Sequence, residues 1–223
     1  MYKWLPFPEN ISTFGVGVDK LFMSIYWLTL IVFILVTITL VAFLIMYRHR
    51  PGHKAAYIEG STKLEIIWTT ATTVIVFGLA LLSYPQWNKI KSPTQLPTPE
   101  VIVQVSAKQF NWDMTYPGPD GEFGTEDDLE LENQLHVPED KVVHIQLTSV
   151  DVIHSFFLPN LRLKQDALPN RFITVWFEAM ETGNYEIACA ELCGFEHFGM
   201  RGFLTVHSEA DYEAWKAEMW PPQ

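Results

Sequence analysis

Two long uncharged apolar runs constrain the fold of this chain more than any other feature. The first covers the 27 residues 21–47, and the second covers the 19 residues 66–84. A helix needs about 20 apolar residues to cross the hydrocarbon core of a bilayer, so each run is long enough to span it. A soluble core helix is seldom apolar on every side over such a length. The sequence therefore predicts a hairpin of two transmembrane helices in a lipid bilayer.

Basic residues between the two runs predict the orientation of this hairpin. The connecting segment 48–65 contains RHRPGHK, and no small-residue cleavage site of a signal peptide follows the first run. Lys and Arg gather in cytoplasmic loops. We therefore expect 48–65 in the cytoplasm, and the N-terminal segment 1–20 and the whole C-terminal portion on the extracytoplasmic side. A bacterial inner membrane with a periplasmic C-terminal domain fits this arrangement.

The C-terminal portion changes to a different pattern. Segment 85–100 is rich in proline, which predicts an extended linker. Short runs of β-branched and aromatic residues follow, separated by Pro, Gly, Asn and Asp, and these predict strands. The predicted strand regions are 101–116, 141–149, 172–179, 184–190 and 201–208. Several short strands in succession predict an all-β Greek-key sandwich or barrel over 101–208, and 209–223 is predicted to be a C-terminal helix and tail.

The C-terminal portion is strongly acidic. Residues 85–223 contain 9 Lys and Arg residues and 22 Asp and Glu residues, a formal charge of −13. This charge repels nucleic acid and steers basic proteins toward the domain, an effect that fades with salt. The acidic segment 117–133 predicts a solvated, turn-rich loop, and its carboxylates offer Ca²⁺ a site although their spacing is not that of an EF-hand.

Both cysteines of the chain lie in CAELCGFEHFGM, residues 189–200, together with a histidine and a methionine. A disulfide between Cys189 and Cys193 would close a very short loop and leave His197 and Met200 without a role. A structural zinc site would use the thiolates and His197 but would gain nothing from a thioether.

Copper accounts for more of this pattern. A mononuclear site made of Cys193, His197, Met200 and the upstream His154 is the ligand set of a blue-copper electron-transfer centre, but it leaves Cys189 unused. In a binuclear site both thiolates bridge two copper ions, with one histidine on each copper and with Met200 and a backbone carbonyl as weak outer ligands. We place His154 in a loop after a predicted strand. The residues alone leave both copper sites open.

The motif C-x-E-x-C-x3-H-x2-M, with DVIHS (151–155) and LKQDALPNR (163–171) upstream, resembles subunit II of haem–copper cytochrome c oxidase. The resemblance covers nearly the whole chain, from the two spans to a cupredoxin domain over 101–208. It implies a subunit that accepts electrons from cytochrome c or another haem c protein and passes them to haem in subunit I. There O₂ is reduced to water in a proton-translocating complex. The implied ligands of the binuclear copper A centre are His154, Cys189, Cys193, His197, Met200 and the main-chain carbonyl of Glu191.

The resemblance implies further roles at other positions. The side chain of Glu191 matches a ligand to a Mg²⁺ or Mn²⁺ ion shared with subunit I, and a hard carboxylate suits such an ion. Glu65, at the cytoplasmic start of the second span, matches a carboxylate at the mouth of a proton pathway. The family packs against its haem-bearing subunit at the positions of Asp151, Lys164 and Asp166.

The segment AKQFNWD, residues 107–113, departs from the family pattern. The family has an aromatic cluster here whose tryptophan receives electrons, whereas this chain has Phe110 at that position and Trp112 two residues later. Both rings are candidates for electron input. The remaining histidines are predicted to be structural or surface residues: His49, His53, His136, His144 and His207.

Two other classes of protein remain as alternatives. The first is a membrane-tethered mononuclear cupredoxin that carries electrons without an oxidase partner. The second is an extracytoplasmic binding domain stabilised by zinc.

Overall fold

The computed structural model describes residues 7–221, and two long helices form one of its two compact units, Gly17–Trp87. Helix α1 spans Gly15–Met46 and helix α2 spans Thr62–Lys91. Their most apolar 18-residue windows have mean hydropathies of 3.0 and 1.9, and 0% of either window is buried inside the protein. Long helices that expose apolar side chains all round need lipid around them, which confirms the predicted pair of membrane spans.

Helix α2 extends beyond the span predicted from the sequence. Pro85 lies inside the helix, which ends only at Lys91, so the prediction of an extended linker over 85–100 is wrong for its first part. A proline removes one backbone N–H donor, and membrane helices tolerate such an interruption. The ammonium of Lys91 then donates to the backbone carbonyl of Lys164 at 2.8 Å and to the side chain of Gln165 at 2.9 Å.

The C-terminal domain is a sandwich of two five-stranded sheets. The first sheet has the strand order β3-β2-β1-β5-β8, and the second has the order β4-β10-β9-β6-β7. Most neighbouring strands are antiparallel, but β1 pairs with β5, and β4 with β10, in parallel. The strands are β1 (Val101–Lys108), β2 (Asn111–Tyr116), β3 (Leu129–Glu132), β4 (Gln134–Pro138), β5 (Val142–Ser149), β6 (His154–Leu158), β7 (Leu163–Ala167), β8 (Ile173–Glu178), β9 (Gly183–Cys189) and β10 (Arg201–His207).

Four of these strands were not predicted. The strand β3 occupies the end of the acidic segment 117–133, so that segment is a loop only up to residue 128, and β4 follows directly. His154 is the first residue of β6 and not part of a loop, and β7 pairs with β6 as an antiparallel neighbour. The predicted region 101–116 is a hairpin of two strands, β1 and β2. Short strands with charged residues on one face carry a weak alternation signal, which explains why β3 and β7 were missed.

The core lies between the two sheets. Val103, Val105 and Ala107 of β1 are fully buried, and so are Trp112 and Met114 of β2, because alternate residues of each strand face inward. Burying one large apolar side chain contributes about 1.5–3 kcal/mol to stability. The C-terminal helix α3 (Glu209–Met219) follows β10 and is capped by Ser208, whose hydroxyl accepts a hydrogen bond from the backbone N–H of Asp211.

The segment before α1 packs onto the sandwich. Ser12 forms an isolated β-bridge with Ala179, and Phe14 contacts Trp176 edge to face at 5.4 Å between ring centroids. Ile11 and Phe14 are both buried. Residues 7–16 therefore belong to the same compact unit as the β-sandwich.

Candidate metal centre

Two neighbouring strands of the second sheet position the first two ligands of the predicted site. His154 begins β6 and Cys189 ends β9, and these strands pair with Phe156 opposite Cys189. The loop from 190 to 200 then carries Cys193 and His197 back to β10. Its last residue is held because the backbone N–H of Cys189 donates to the carbonyl of Met200 at 3.2 Å. The sheet register therefore brings together ligands that lie far apart in the sequence.

The sulfur and nitrogen atoms of these side chains converge. The Sγ atoms of Cys189 and Cys193 are 3.8 Å apart. Nδ1 of His154 lies 3.9 Å from Sγ of Cys189, and Nδ1 of His197 lies 3.6 Å from Sγ of Cys193. Sδ of Met200 lies 3.8 Å from Sγ of Cys193. The structure thus brings together every side chain that the sequence predicted as a copper ligand.

The sulfur–sulfur distance suits a metal site and not a disulfide. Both cysteines are free, and 3.8 Å is far longer than the roughly 2.05 Å of an S–S bond. A metal at about 2.3 Å from a thiolate can contact both of these sulfurs at once. Among residues 7–221, the group of three ligating atoms from His, Cys, Asp and Glu that converges in this way is His154, Cys189 and Cys193. Thiolate, imidazole and thioether together are a copper ligand set.

The centre is shielded from solvent on one side. His154 is fully buried and Met200 nearly so, whereas His197 is partly exposed. Burial raises the pKa of the Cys193 thiol to about 11, and the neighbouring Cys189 adds to this effect. A thiol with such a pKa stays protonated at neutral pH until a metal displaces its proton, so metal binding here releases protons.

Asp151 and Gln109 support the ligands, although the sequence did not assign them this role. The Nε2–H of His154 donates to Oδ1 of Asp151 at 2.8 Å, and the backbone N–H of Gln109 donates to Oδ2 at 2.7 Å. The side-chain amide of Gln109 donates to the carbonyl of Cys193. Burial raises the pKa of Asp151, but these hydrogen bonds and one from the N–H of Val152 outweigh it and lower the pKa overall. Asp151 therefore positions the predicted ligand His154, and its contact with the haem-bearing subunit stays a prediction.

The two aromatic candidates for electron input occupy different environments. Trp112 has no exposed surface and meets the ring of His154 edge on, at 6.2 Å between centroids. Phe110 is partly exposed and lies against the backbone of Gly194 in the ligand loop. Trp112 is thus a buried neighbour of a ligand, and Phe110 is the candidate that reaches the surface.

The other residues implied by the resemblance lie at the edge of the cluster of ligands or outside it. The carbonyl of Glu191 is 3.3 Å from Sγ of Cys189, and the side chain of Glu191 is exposed. Lys164 and Asp166 form an exposed ion pair at 3.8 Å on β7. Glu65 is an exposed residue in the first turn of α2.

The remaining histidines of the domain have local partners. Nε2 of His144 contacts the carbonyl of Pro97 at 2.9 Å. Nδ1 of His136 contacts Nε2 of His207 at 2.8 Å, and Trp215 stacks on His136 at 4.8 Å. These contacts match the structural roles predicted for them.

The carboxylates of the acidic loop accept hydrogen bonds from other groups of the same loop. Asp120 accepts a hydrogen bond from the backbone N–H of Glu122, Asp128 accepts one from that of Gly124, and Asp127 accepts one from the hydroxyl of Thr125. The Ca²⁺ site remains a prediction.

Comparison with known proteins shows the family of this chain. The family described as Cytochrome C oxidase subunit II, periplasmic domain, matches residues 103–206, and its transmembrane domain family matches residues 3–85. The alternative cytochrome c oxidase subunit 2 of Bradyrhizobium diazoefficiens is 30% identical over 95% of this chain and 82% of its own length. Cytochrome c oxidase subunit 2 of Synechocystis sp. is 32% identical over 94% of this chain and 74% of its own length.

A solved structure shows the same sandwich. The periplasmic domain of subunit II of cytochrome oxidase from Bradyrhizobium japonicum superposes with a TM-score of 0.50 at 30% identity, covering 56% of this chain and 96% of that domain.

The fold and the site define a membrane-anchored, cupredoxin-like protein built for electron transfer. More narrowly, the chain belongs to the cytochrome c oxidase subunit II family. It is the subunit through which electrons enter a haem–copper terminal oxidase, it belongs to an oxidoreductase complex of the respiratory chain, and its family binds copper.

Proposed function

We propose that this chain holds two copper ions between Cys189 and Cys193 and uses them to receive electrons from a haem c protein. The distance of 3.8 Å between the two Sγ atoms, with one imidazole beside each sulfur, carries this proposal. His154 stands next to Cys189 and His197 next to Cys193, so the ligands form two similar halves. A single metal ion would leave one of these imidazole–thiolate pairs without a role, whereas two metal ions would give both pairs a role.

Copper held by these ligands would supply reversible one-electron chemistry at the point where electrons enter the oxidase. The chain itself holds the ligands in fixed positions, because Cys189 and His154 stand on paired strands and Met200 is tied to Cys189 through the backbone. Rigid ligands rearrange little when one electron arrives. Hydrogen bonds to the ligands, such as that between His154 and Asp151, fix their orientation and tune the metal.

Glu191 contributes two different groups under this proposal. Its carbonyl, 3.3 Å from Sγ of Cys189, faces the cluster of ligands and suits a weak copper ligand. Its carboxylate belongs to an exposed residue and suits a Mg²⁺ or Mn²⁺ ion shared with subunit I.

The packing of the N-terminal segment supports one orientation in the membrane. Residues 7–14 pack onto the sandwich, so the start of α1 and the sandwich share one side of the bilayer. The basic segment 48–65 favours the cytoplasm. We therefore place the sandwich on the periplasmic side of a bacterial inner membrane. Glu65 then lies at the cytoplasmic edge, where an ionisable residue suits the mouth of a proton pathway.

Copper loading of the full-length chain in detergent tests the proposal. We expect two copper ions per chain and a frozen-solution spin resonance spectrum with hyperfine splitting from two equivalent nuclei. In a Cys189→Ser variant one bridge is lost, so we expect a single copper with single-nucleus splitting. A matched Ser106→Ala variant, which changes a residue of β1 outside the ligand loop, should keep two.

Other results would support the alternatives. Single-nucleus splitting in the unmodified chain would favour a mononuclear carrier, and a colourless chain that keeps one zinc would favour a zinc-stabilised binding domain. Either result would overturn the binuclear centre.

A further inference from the structure

An open cavity of about 490 Å³ lies in the unit that contains the sandwich, between helix α3 and the parts of the chain around β1 and β2. Three aromatic residues line it: Tyr116 at the end of β2, Tyr212 in α3 and Trp220 just after α3. Its other apolar walls come from the start of β1 and from the segment that follows β2. Small-molecule sites in proteins are concave, mostly apolar and about 300–1,000 Å³ in volume, so this cavity has the size and the lining of such a site.

The walls of this cavity are tied to one another. The ring of Trp215 contacts the rings of Tyr116 and Tyr212, at 5.3 and 5.4 Å between centroids, and both tyrosines are buried. The indole N–H of Trp220 donates to the backbone carbonyl of Asp127 at 2.8 Å, which fastens the chain after α3 to the acidic loop. A ligand would therefore meet rings in fixed positions, and little of the protein would have to be ordered on binding.

Carboxylates border the cavity. Glu100, directly before β1, and Glu213, in α3, belong to its lining. The carboxylate of Asp127 lies next to Gly118, another residue of the lining, since a Cβ on Gly118 would collide with it. Residues 85–223 as a whole carry a formal charge of −13. The field at this cavity therefore attracts cations and repels anions.

Two ammonium groups of the chain itself already lie beside these carboxylates. Lys216 pairs with Glu213 at 2.6 Å and lies 5.3 Å from the ring centroid of Tyr212, and Lys141 pairs with Glu100 at 3.2 Å. The side chains of Glu100 and Glu213 are nevertheless 49% and 63% exposed. A carboxylate has about four acceptor positions, so each can hold a second cation. The contact of Lys216 with both a carboxylate and a ring face shows which chemistry this site stabilises.

We propose that this cavity binds a small organic cation of the alkylammonium class, with its charge beside Glu100 and Glu213 and its carbon groups against Tyr212 and Trp220. An anion is repelled by the carboxylates, and an uncharged molecule gains nothing from them. Because the ligand would contact both α3 and the start of β1, it stabilises the folded sandwich by mass action. None of the residues that line the cavity belongs to the ligand loop of the metal centre, so the cation binds with or without copper.

A titration of the full-length chain, followed by saturation-transfer NMR in an uncharged maltoside detergent and a phosphate buffer free of amines, tests the proposal. Choline is the probe. Its uncharged carbon analogue, in which a tert-butyl group replaces the trimethylammonium group, has the same shape and serves as the comparison. We expect saturable binding of choline, and binding of the analogue weaker by at least about threefold, since only the cation gains from the ring faces and the carboxylates. The affinity for choline should fall as the salt concentration rises.

Two substitutions with opposite effects connect the binding to this cavity. Glu213→Gln removes a negative charge at an exposed position and should weaken choline binding about threefold. Lys216→Met removes the competing positive charge, keeps a long side chain and should strengthen choline binding about threefold. The matched controls are Glu186→Gln and Arg201→Met, which change an exposed ion pair of 3.1 Å on β9 and β10 and should leave the binding unchanged.

Three results would overturn the proposal. Equal binding of choline and its uncharged analogue would show that the cavity selects by shape and not by charge. Unchanged binding of choline in both Glu213→Gln and Lys216→Met would show that the cation binds elsewhere on the chain. A lack of saturable choline binding would reject the ligand class, and binding of tetralysine in its place would favour a basic peptide as the occupant of the cavity.

Discussion

Asp151 accepts a hydrogen bond of 2.8 Å from Nε2–H of His154, whose other ring nitrogen faces Sγ of Cys189 at 3.9 Å. A carboxylate behind a metal-binding imidazole fixes its orientation and makes it a stronger electron-pair donor to the metal. We expect Asp151→Asn to lower copper affinity by about 10- to 100-fold and to raise the reduction potential. The isosteric amide loses the negative charge, and its NH₂ group opposes the N–H of Gln109. Competition with a chelator and a potentiometric titration measure both effects.

Asp166 is the matched control for this prediction. It lies on β7, and its carboxylate accepts from the hydroxyl of Ser155 at 2.7 Å without touching a ligand atom of the metal centre. Asp166→Asn should therefore leave affinity and potential unchanged. Equal effects of the two substitutions would show that the loss of any nearby charge, and not the bond to His154, matters.

Met200 provides a second prediction, because it is a buried thioether 3.8 Å from Sγ of Cys193. A thioether is a weak ligand, so Met200→Leu should shift the reduction potential while both copper ions stay bound. The swap conserves volume and should cost less than about 1.5 kcal/mol of stability. Met114→Leu changes an equally buried methionine in β2 and should leave the potential unchanged. Complete loss of copper from Met200→Leu would contradict the assignment of a weak ligand.

The convergence of the candidate ligands could be predicted from the sequence because most of these residues lie at short spacing. Cys189, Cys193, His197 and Met200 lie within twelve residues, and few proteins need two thiols, an imidazole and a thioether so close together. The membrane spans were equally clear, because length and apolarity alone decide them.

The support around the ligands could not be predicted, because it depends on long-range pairing. Asp151 meets Gln109 only because β1 and β5 run parallel and end side by side, with Ala107 opposite Ser149. The position of the acidic charge is a similar case. Composition provides a net charge, but only the fold brings the acidic loop to the end of α3, where Trp220 donates to the carbonyl of Asp127.

Gly194 in the ligand loop leads to a third prediction. Its φ is +150°, a value that side chains rarely adopt, and an added Cβ would lie 2.7 Å from Nε2 of Gln109 and 2.9 Å from the ring of Phe110. Gly194→Ala should therefore destabilise the loop by about 1–3 kcal/mol and weaken copper loading, while the sandwich stays folded. Copper stoichiometry and far-UV circular dichroism test the two parts.

Gly199 is a close control in the same loop, because an added Cβ would meet no atom within 4 Å. Gly199→Ala should load copper like the unmodified chain. If the two variants behave alike, the effect of Gly194→Ala does not come from crowding against Gln109 and Phe110.

The contact between His136 and His207 leads to a fourth prediction, on how the stability of the sandwich depends on pH. Burial and the neighbouring His207 lower the pKa of His136 to about 4, and burial also lowers the pKa of His207. The folded state thus keeps His136 neutral at pH values where the unfolded chain, with its ordinary pKa of about 6.5, binds a proton. Its contribution is complete above pH 6.5 and is lost as the pH falls from there toward 4. The loss should be on the order of 1–2 kcal/mol, because water screens a half-buried group.

Thermal unfolding of the sandwich in the detergent-solubilised chain, followed by near-UV circular dichroism, measures this slope. Carboxylates also titrate in this range, so the difference between variants is decisive. In His136→Gln the group that resists protonation is gone, and the melting temperature should fall less steeply between pH 6.5 and 4 than in the unmodified chain. His49→Gln changes an exposed histidine of the segment between the two helices and should preserve the full slope. An unchanged slope in His136→Gln would mean that carboxylates elsewhere in the sandwich, and not the histidine pair, cause the loss of stability at low pH.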